Sequence, residues 1–229
     1  MTHFAVVAPA LYSHFNTLMV LARELVTRGH RVTFIHRPDA AAYVKDARVG
    51  FHAIGAATHP AGSLPAMLAR VANPGSPLGL RRVILDMAAS TEMLCRELPA
   101  ALKALQVDCV LADQMEAAGG MVAESIGMPF ISIACALPVN REPGIPLPVM
   151  PFVYEDSERA FKIVEGSTRV YDWMMGPHHR AIAAEAERLG LAPRSMLHEC
   201  LSPLAQIAQI VPGFDFPRRE LPAHFHHVG

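Results

Sequence analysis

The first 36 residues constrain the fold more than any other part of this chain. They predict a short apolar strand (HFAVVAPA), a loop (LYSHFN), an amphipathic helix over 16–28 that ends at Gly29, and a second strand, RVTFIH. Two strands joined through a helix are typical of a parallel sheet. Continuous apolar strand patterns recur at VDCVLADQ and PFISIACA, which indicates burial of both sheet faces. We therefore predict the α/β fold class, a Rossmann-like parallel sheet with helices on both faces.

Helical patterns fill most of the remaining chain. We expect helices over 80–105, 116–125, 156–175 and 178–190, with Pro99 kinking or restarting the first of these. The segment LPVNREPGIPLPVMPF is too rich in proline for a helix, so it predicts a long loop. Neither an internal repeat nor a linker is visible, and we predict one domain over 1–229.

Composition and charge exclude several function classes. The formal net charge is -1 and the chain has no basic tract, so no nucleic-acid partner is expected. No apolar run is long enough to span a bilayer, and no cationic segment precedes an apolar core at the N-terminus. We expect a soluble, cytoplasmic chain. Because 52% of residues are hydrophobic and 18% are charged, exposed apolar surface or a lipophilic ligand is also expected.

His14 and Asp113 are the candidate catalytic residues. The sequence places His14 on the loop after the first strand and Asp113 at the end of the fourth, so both belong to the carboxyl edge of a parallel sheet. A carboxylate on one ring nitrogen fixes the tautomer of a histidine and stabilises its imidazolium, which makes a general base. The alternative is that Asp113 only caps the helix that opens near Glu116, while His14 packs in a polar loop.

Other chemistries lack a recognisable pattern. The chain contains no G-x-S-x-G, G-x-G-x-x-G or Walker A motif, and the first loop has no glycine to cradle a phosphate. The four cysteines are widely separated, and the C-terminal histidines lack an acidic or thiolate partner at a familiar spacing. We therefore predict reduced cysteines, no metal site and no bound cofactor.

Two stretches resemble a known family. The histidine-bearing loop followed by a helix and RGHRVTF resembles the N-terminal domain of GT-B glycosyltransferases of the UDP-glycosyltransferase group. LADQMEAAGGMVAESIGMPFIS resembles the second landmark of that group, a strand ending in Asp, a helix, G-x-P and another strand. FISIACALPVNREPGIPLPVMPF and the C-terminal run are similar, more narrowly, to members that glycosylate carotenoids.

The resemblance implies an inverting transfer. His14 would deprotonate the acceptor hydroxyl, Asp113 would balance the charge of the imidazolium, and UDP would leave the anomeric carbon. Many members have glycine before this histidine, where Ser13 stands here. The C-terminal domain that binds the UDP-sugar is expected to be absent from this chain. UDP-glucose would then be a co-substrate held mainly by the missing domain, and this half alone would be inactive.

The resemblance also implies an apolar, hydroxylated acceptor such as a carotenoid, and we expect peripheral association with a membrane. The loop 137–152 and the methionine-bearing segment 64–93 are the expected walls of its site. The predicted substrate-binding residues are Ser13, Phe15, Met87, Gln114, Leu137, Asn140 and Met150.

Three alternatives remain open at this point. The chain could belong to a transferase for another lipophilic alcohol, such as a macrolide. It could also be a non-catalytic module that binds an apolar hydroxylated ligand. A sugar-nucleotide isomerase is disfavoured, because such enzymes use several carboxylates and none are grouped in this sequence.

Overall fold

A computed structural model describes all 229 residues, and its centre is one sheet of seven strands. The strands are β1 (His3–Val7), β2 (Arg31–His36), β3 (Gly50–Ala53), β4 (Cys109–Asp113), β5 (Phe130–Ala134), β6 (Gln206–Ala208) and β7 (Phe225–His227). Their order is β3-β2-β1-β4-β5-β6-β7, and every neighbouring pair is parallel. The order reverses between β1 and β4, the position at which α/β sheets bind ligands.

Helices cover both faces of this sheet. They are α1 (Tyr12–Thr27), α2 (Leu64–Ala72), α3 (Pro77–Ala104), α4 (Ala117–Ser125), α5 (Glu158–Met174) and α6 (Gly176–Arg188). Ala5 and Val7 of β1 pack into a core with residues of α3, α4 and α6, whereas Val6 and Ala8 join a second core with residues of α1. The alternation follows from the two-residue period of a strand. The predicted α/β fold class, with helices on both faces, is confirmed.

The start of α1 differs from the prediction. The helix begins at Tyr12, one turn before Asn16, and Leu11 occupies the extended N-cap position without a side-chain cap. His14 therefore lies in the first turn of a helix, and its placement on a loop was wrong. The difference arises because a leucine cap leaves no polar signal in the sequence, while Asn16 is an exposed helical residue. The helical backbone fixes His14 more firmly than a loop would. Gly29 (φ +83°) ends the helix region as predicted.

Pro99 does not interrupt α3, which is continuous from Pro77 to Ala104. A proline inside a helix leaves the carbonyl four residues earlier, here that of Cys95, without its usual N–H donor. Arg188 at the end of α6 supplies the replacement, since its Nη2 donates to the Cys95 carbonyl at 2.9 Å. The expectation of a restart at Pro99 was wrong because a distant side chain satisfies the freed carbonyl.

None of the helices is both long and apolar enough to cross a membrane.

Replacing Arg188 with alanine should destabilise the fold by about 1 kcal/mol, because the Cys95 carbonyl loses its donor. In the Pro99→Ala background the loss should be smaller, since a backbone N–H is again available to that carbonyl. Urea unfolding measures both free energies. Arg96→Ala is the matched control, because Arg96 shares only the Glu185 ion pair with Arg188. Equal losses in the two backgrounds would contradict this account of α3.

Candidate active site

His14 and Asp113 meet at the carboxyl edge of the sheet. β1 and β4 are paired with Val7 opposite Ala112, so the chain just beyond both strands lies at one edge. His14 projects from the first turn of α1, and its Nδ1 lies 2.7 Å from Oδ2 of Asp113, the last residue of β4. The sheet therefore joins two side chains that are 99 positions apart in sequence.

Asp113 is a buried carboxylate with a full set of donors. Its Oδ1 accepts the backbone N–H of Met115 at 2.9 Å, and its Oδ2 accepts from His14 and from the Cys135 thiol, whose Sγ is 3.2 Å away. The cap of α4 is Glu116, whose Oε1 accepts the N–H of Ala118. Asp113 is thus free of the capping role that the alternative interpretation assigned to it, and its charge is directed at His14.

The charge of Asp113 determines the proton affinity of His14. Burial lowers the pKa of His14, but the hydrogen bond and the negative charge of Asp113 together raise it more, so the pKa lies above its ordinary value. With Asp113 ionised, Nδ1 carries the proton that it donates, and Nε2 has the free lone pair. The side chain of His14 is 18% exposed. The arrangement can therefore act as a base toward a group that reaches Nε2.

His14, Asp113 and Cys135 also offer three donor atoms that lie within 4.8 Å of one another, the number that a catalytic zinc site uses. Burial, and then the charge of Asp113, raise the pKa of the Cys135 thiol far above its ordinary value. The thiol is therefore protonated and donates to the carboxylate. As the three groups stand, they form a hydrogen-bonded set centred on Oδ2 of Asp113.

A cavity of about 120 Å³ lies beside His14. Its apolar wall comes from the β1–α1 turn, α2, α3 and the turn before α4, and includes Leu11, Met67, Val71, Val83, Met87 and Met115. Its polar wall is formed by Asp86, Ser90, Glu116 and His178. A smaller cavity of about 40 Å³ shares Met115 and His178 with it and reaches Leu147, Pro148 and Val149 of the proline-rich loop. Both segments expected as walls of an acceptor site therefore contribute to these cavities.

Some predicted binding residues contact the cavity or its loop. Met87 lines the cavity beside His14. Gln114 tethers the proline-rich loop, since its Nε2 donates to the Leu137 carbonyl and its Oε1 accepts from the N–H of Val139, both at 2.9 Å. Asn140 donates to Oε1 of Gln206 at 2.9 Å. Gln114 therefore holds the loop from the end of β4, and Asn140 holds it from within the loop.

The other predicted binding residues lie outside the cavity beside His14. Phe15 is 1% exposed and stacks on Phe34 in the core, with ring centroids 5.0 Å apart. Ser13 is exposed, and its carbonyl accepts from Thr17. Leu137 and Met150 are half-buried in the proline-rich loop. Their roles in substrate binding stay predictions.

A buried polar chain that the sequence did not predict lies next to the cavity. Burial raises the pKa of Glu116 to about 7, and Thr91 donates to its Oε1 at 2.8 Å. His178 lies 3.2 Å from the same hydroxyl, and burial lowers its pKa to about 4. The position of Glu116, three residues after Asp113 at the same strand end, was the one sequence signal for this chain. Thr91 and His178 come from distant helices, and no sequence pattern links them to Glu116.

Comparison with known proteins supports the resemblance that the motifs predicted. No protein-family profile matches the chain. Its whole length is 53% identical to zeaxanthin glucosyltransferase of Pantoea ananas and 51% identical to zeaxanthin glucosyltransferase of Pseudescherichia vulneris. The matches cover 53% and 54% of those proteins, so the chain spans about half the length of the curated relatives it matches. Over its whole length the chain is therefore similar to one half of each of these glucosyltransferases.

Solved structures agree on the fold. The spinosyn forosaminyltransferase SpnP matches with a TM-score of 0.59 at 18% identity, over 99% of this chain and 50% of that one. The glycosyltransferase of kitacinnamycin matches with a TM-score of 0.57 at 24% identity, over 91% of this chain and 46% of that one. VinC in complex with DTDP matches with a TM-score of 0.56 at 22% identity, over 98% and 52%. At these identities the likeness shows the fold alone.

Asp113→Asn should lower the pKa of His14 to below its ordinary value of about 6.5, because burial then acts without an opposing charge. NMR titration of the imidazole measures this change. In the unmodified protein the raised pKa contributes stability that is fully present below about pH 6.5 and lost as the pH rises through the folded pKa. Urea unfolding should therefore show that the variant loses more free energy of unfolding, relative to the unmodified protein, at pH 6 than at pH 9. An unchanged His14 pKa would contradict the assigned coupling.

Proposed function

We propose that this chain is the acceptor-binding half of an inverting, UDP-sugar-dependent glycosyltransferase that transfers glucose to a hydroxyl group of zeaxanthin. The observation that carries the proposal is the 2.7 Å hydrogen bond between His14 and Asp113 beside a mostly apolar cavity that His14 lines. The 53% identity to zeaxanthin glucosyltransferase of Pantoea ananas supports the choice of reaction. The fold alone would not support a particular reaction, because one fold hosts many activities.

The proposed step begins with a proton transfer. Nε2 of His14 takes the proton of the acceptor hydroxyl while the oxygen attacks the anomeric carbon of the sugar. The new carbon–oxygen bond forms as the bond to the UDP oxygen breaks, so the configuration inverts and UDP leaves as the anion. Asp113, hydrogen-bonded at Nδ1, stabilises the imidazolium that results. The dyad thus needs no covalent intermediate.

The cavity fits the hydroxylated end of a long apolar acceptor. Its wall is mostly apolar side chains, and its volume of about 120 Å³ admits one end group rather than a whole carotenoid. Ser90, Glu116 and His178 add hydrogen-bonding groups that can orient a ring oxygen. The rest of the acceptor would extend outside the cavity. We assign binding of the UDP-glucose donor to the other half of the two-domain enzyme.

An acceptor that dissolves in lipid requires contact with a membrane. On α5, Ile163, Val170 and Trp173 have the i, i+7, i+10 spacing of one helix face, and their side chains are exposed, that of Trp173 by 82%. Arg159, Lys162 and Arg169 are exposed on the same helix, where Lys162 and Arg169 form ion pairs with Glu158 and Glu165. An exposed apolar stripe beside charged side chains is typical of helices that lie at a membrane surface. We propose that α5 forms this contact.

His14→Ala should reduce glucosyl transfer by roughly 10²–10⁴-fold in the two-domain enzyme, because the acceptor hydroxyl loses its base. Transfer of labelled glucose from UDP-glucose to zeaxanthin measures the rate. The affinity for zeaxanthin should be unchanged, and the melting temperature should fall, because buried Asp113 loses one of its three donors. His30→Ala is the matched control, since His30 lies at the opposite, amino edge of β2 and contacts the Phe4 ring edge-to-face. Full activity of His14→Ala would remove His14 from the mechanism. If the unmodified two-domain protein bound zeaxanthin but transferred no glucose, a non-catalytic binding module would be favoured.

Trp173→Ala should weaken binding to liposomes by about tenfold, because one large apolar side chain no longer enters the interface. Co-sedimentation with vesicles that contain anionic lipid measures the affinity. Leu204→Ala is the matched control, since Leu204 is also exposed but lies outside α5. Equal binding of all three proteins would contradict the assignment of α5.

A further inference from the structure

Cys135 lies beside the dyad because of the register of the sheet. Asp113 of β4 pairs with Ile133 of β5, and Cys135 follows two residues later on the same face. Its Sγ is 3.2 Å from Oδ2 of Asp113, the same oxygen that accepts from His14. Among the four cysteines of the chain, it is the one whose thiol contacts the dyad.

The Cys135 thiol acts toward Asp113 as a hydrogen-bond donor. Because burial and the neighbouring charge keep it protonated, the S–H donates to the carboxylate. Oδ1 is already occupied by the N–H of Met115. The orientation of the carboxylate is thus fixed by donors from α1, from the turn after β4 and from the residue that follows β5. Two of these donors share Oδ2.

We propose that Cys135 is a positioning residue of the dyad. Its thiol holds Oδ2 of Asp113 toward His14 and takes up part of the negative charge that would otherwise keep a proton on the imidazole. The catalytic meaning of this inference rests on the proposed function. The coupling between Cys135 and His14 is a property of this chain and can be measured without turnover.

Sharing of Oδ2 has a consequence for the base. A general base is most effective when its pKa is close to the operating pH, so an unshared, buried carboxylate would hold the imidazolium too strongly. By donating to Oδ2, the Cys135 thiol weakens the hold of the carboxylate on the imidazolium. The other titratable groups that face His14 across the cavity are Asp86 of α3, Glu116 before α4 and His178 of α6, and none is hydrogen-bonded to the imidazole.

NMR titration of His14 in this chain tests the coupling. Cys135→Ala should raise the pKa of His14 by roughly 0.5, because Oδ2 keeps only the imidazole as donor. Cys135→Ser retains a donor, so its value should stay closer to that of the unmodified chain. Cys135→Val also removes the donor while filling the space, and should give the same rise if the alanine variant does not fold. In the Asp113→Asn background, loss of the thiol should leave the His14 pKa unchanged.

Cys109→Ala is the matched control, because Cys109 is a buried thiol of the same strand, β4, that contacts only a backbone carbonyl. An unchanged His14 pKa in Cys135→Ala and Cys135→Val, or an equal rise in Cys109→Ala, would overturn the proposal. In the two-domain enzyme, the acidic limb of kcat/KM should move upward by the same amount with the acceptor KM unchanged. A purely structural role would instead lower Tm and leave that limb in place. Absence of any glucosyl transfer would defeat the proposed function, while the titration would still decide the role of Cys135.

Discussion

The parallel pairing of β1 with β4 is the constraint on which the candidate site depends. It is a long-range pairing, since the helices and strands over residues 8–108 separate the two strands in sequence. Once it forms, the first turn of α1 and the end of β4 share one edge, and a histidine and a carboxylate can meet at hydrogen-bond distance. Burying an unpaired carboxylate is unfavourable, so the three donors around Asp113 are also a condition for closing this edge.

The cavity beside the dyad has an apolar wall and a polar wall, and each contributes a different property. Methionines of α2, α3 and the turn before α4 give an adaptable apolar wall, which suits an acceptor of irregular shape. Glu116 and His178 belong to the polar wall, and their hydrogen bonds with Thr91 link α3, α6 and the start of α4. The helices that form the cavity are therefore also those that hold its polar groups, and a change in their packing would move both together.

Specific residues show how far sequence reasoning reached. Apolar strand patterns and glycine stops predicted the sheet, because they depend on local periodicity and on backbone conformation. Asn16 misled the prediction of the helix start, since the true N-cap, Leu11, has no side-chain acceptor. Pro99 predicted a kink or a restart, but α3 is continuous, and the carbonyl that Pro99 leaves free accepts from Arg188, 93 positions away. Phe15, a predicted substrate-binding residue next to His14 in sequence, packs in the core because neighbouring helical residues point about 100° apart.

The sequence by itself determined the α/β class, the edge at which chemistry is expected and the His14–Asp113 pair, because strand ends in a parallel sheet converge whatever the details of packing. Only the tertiary structure decided what surrounds that pair. The thiol of Cys135 on Oδ2, the Glu116 chain and the shape of the cavity come from side chains that approach across strands and helices. Such contacts depend on register and packing between distant segments, and no local pattern in the sequence encodes them.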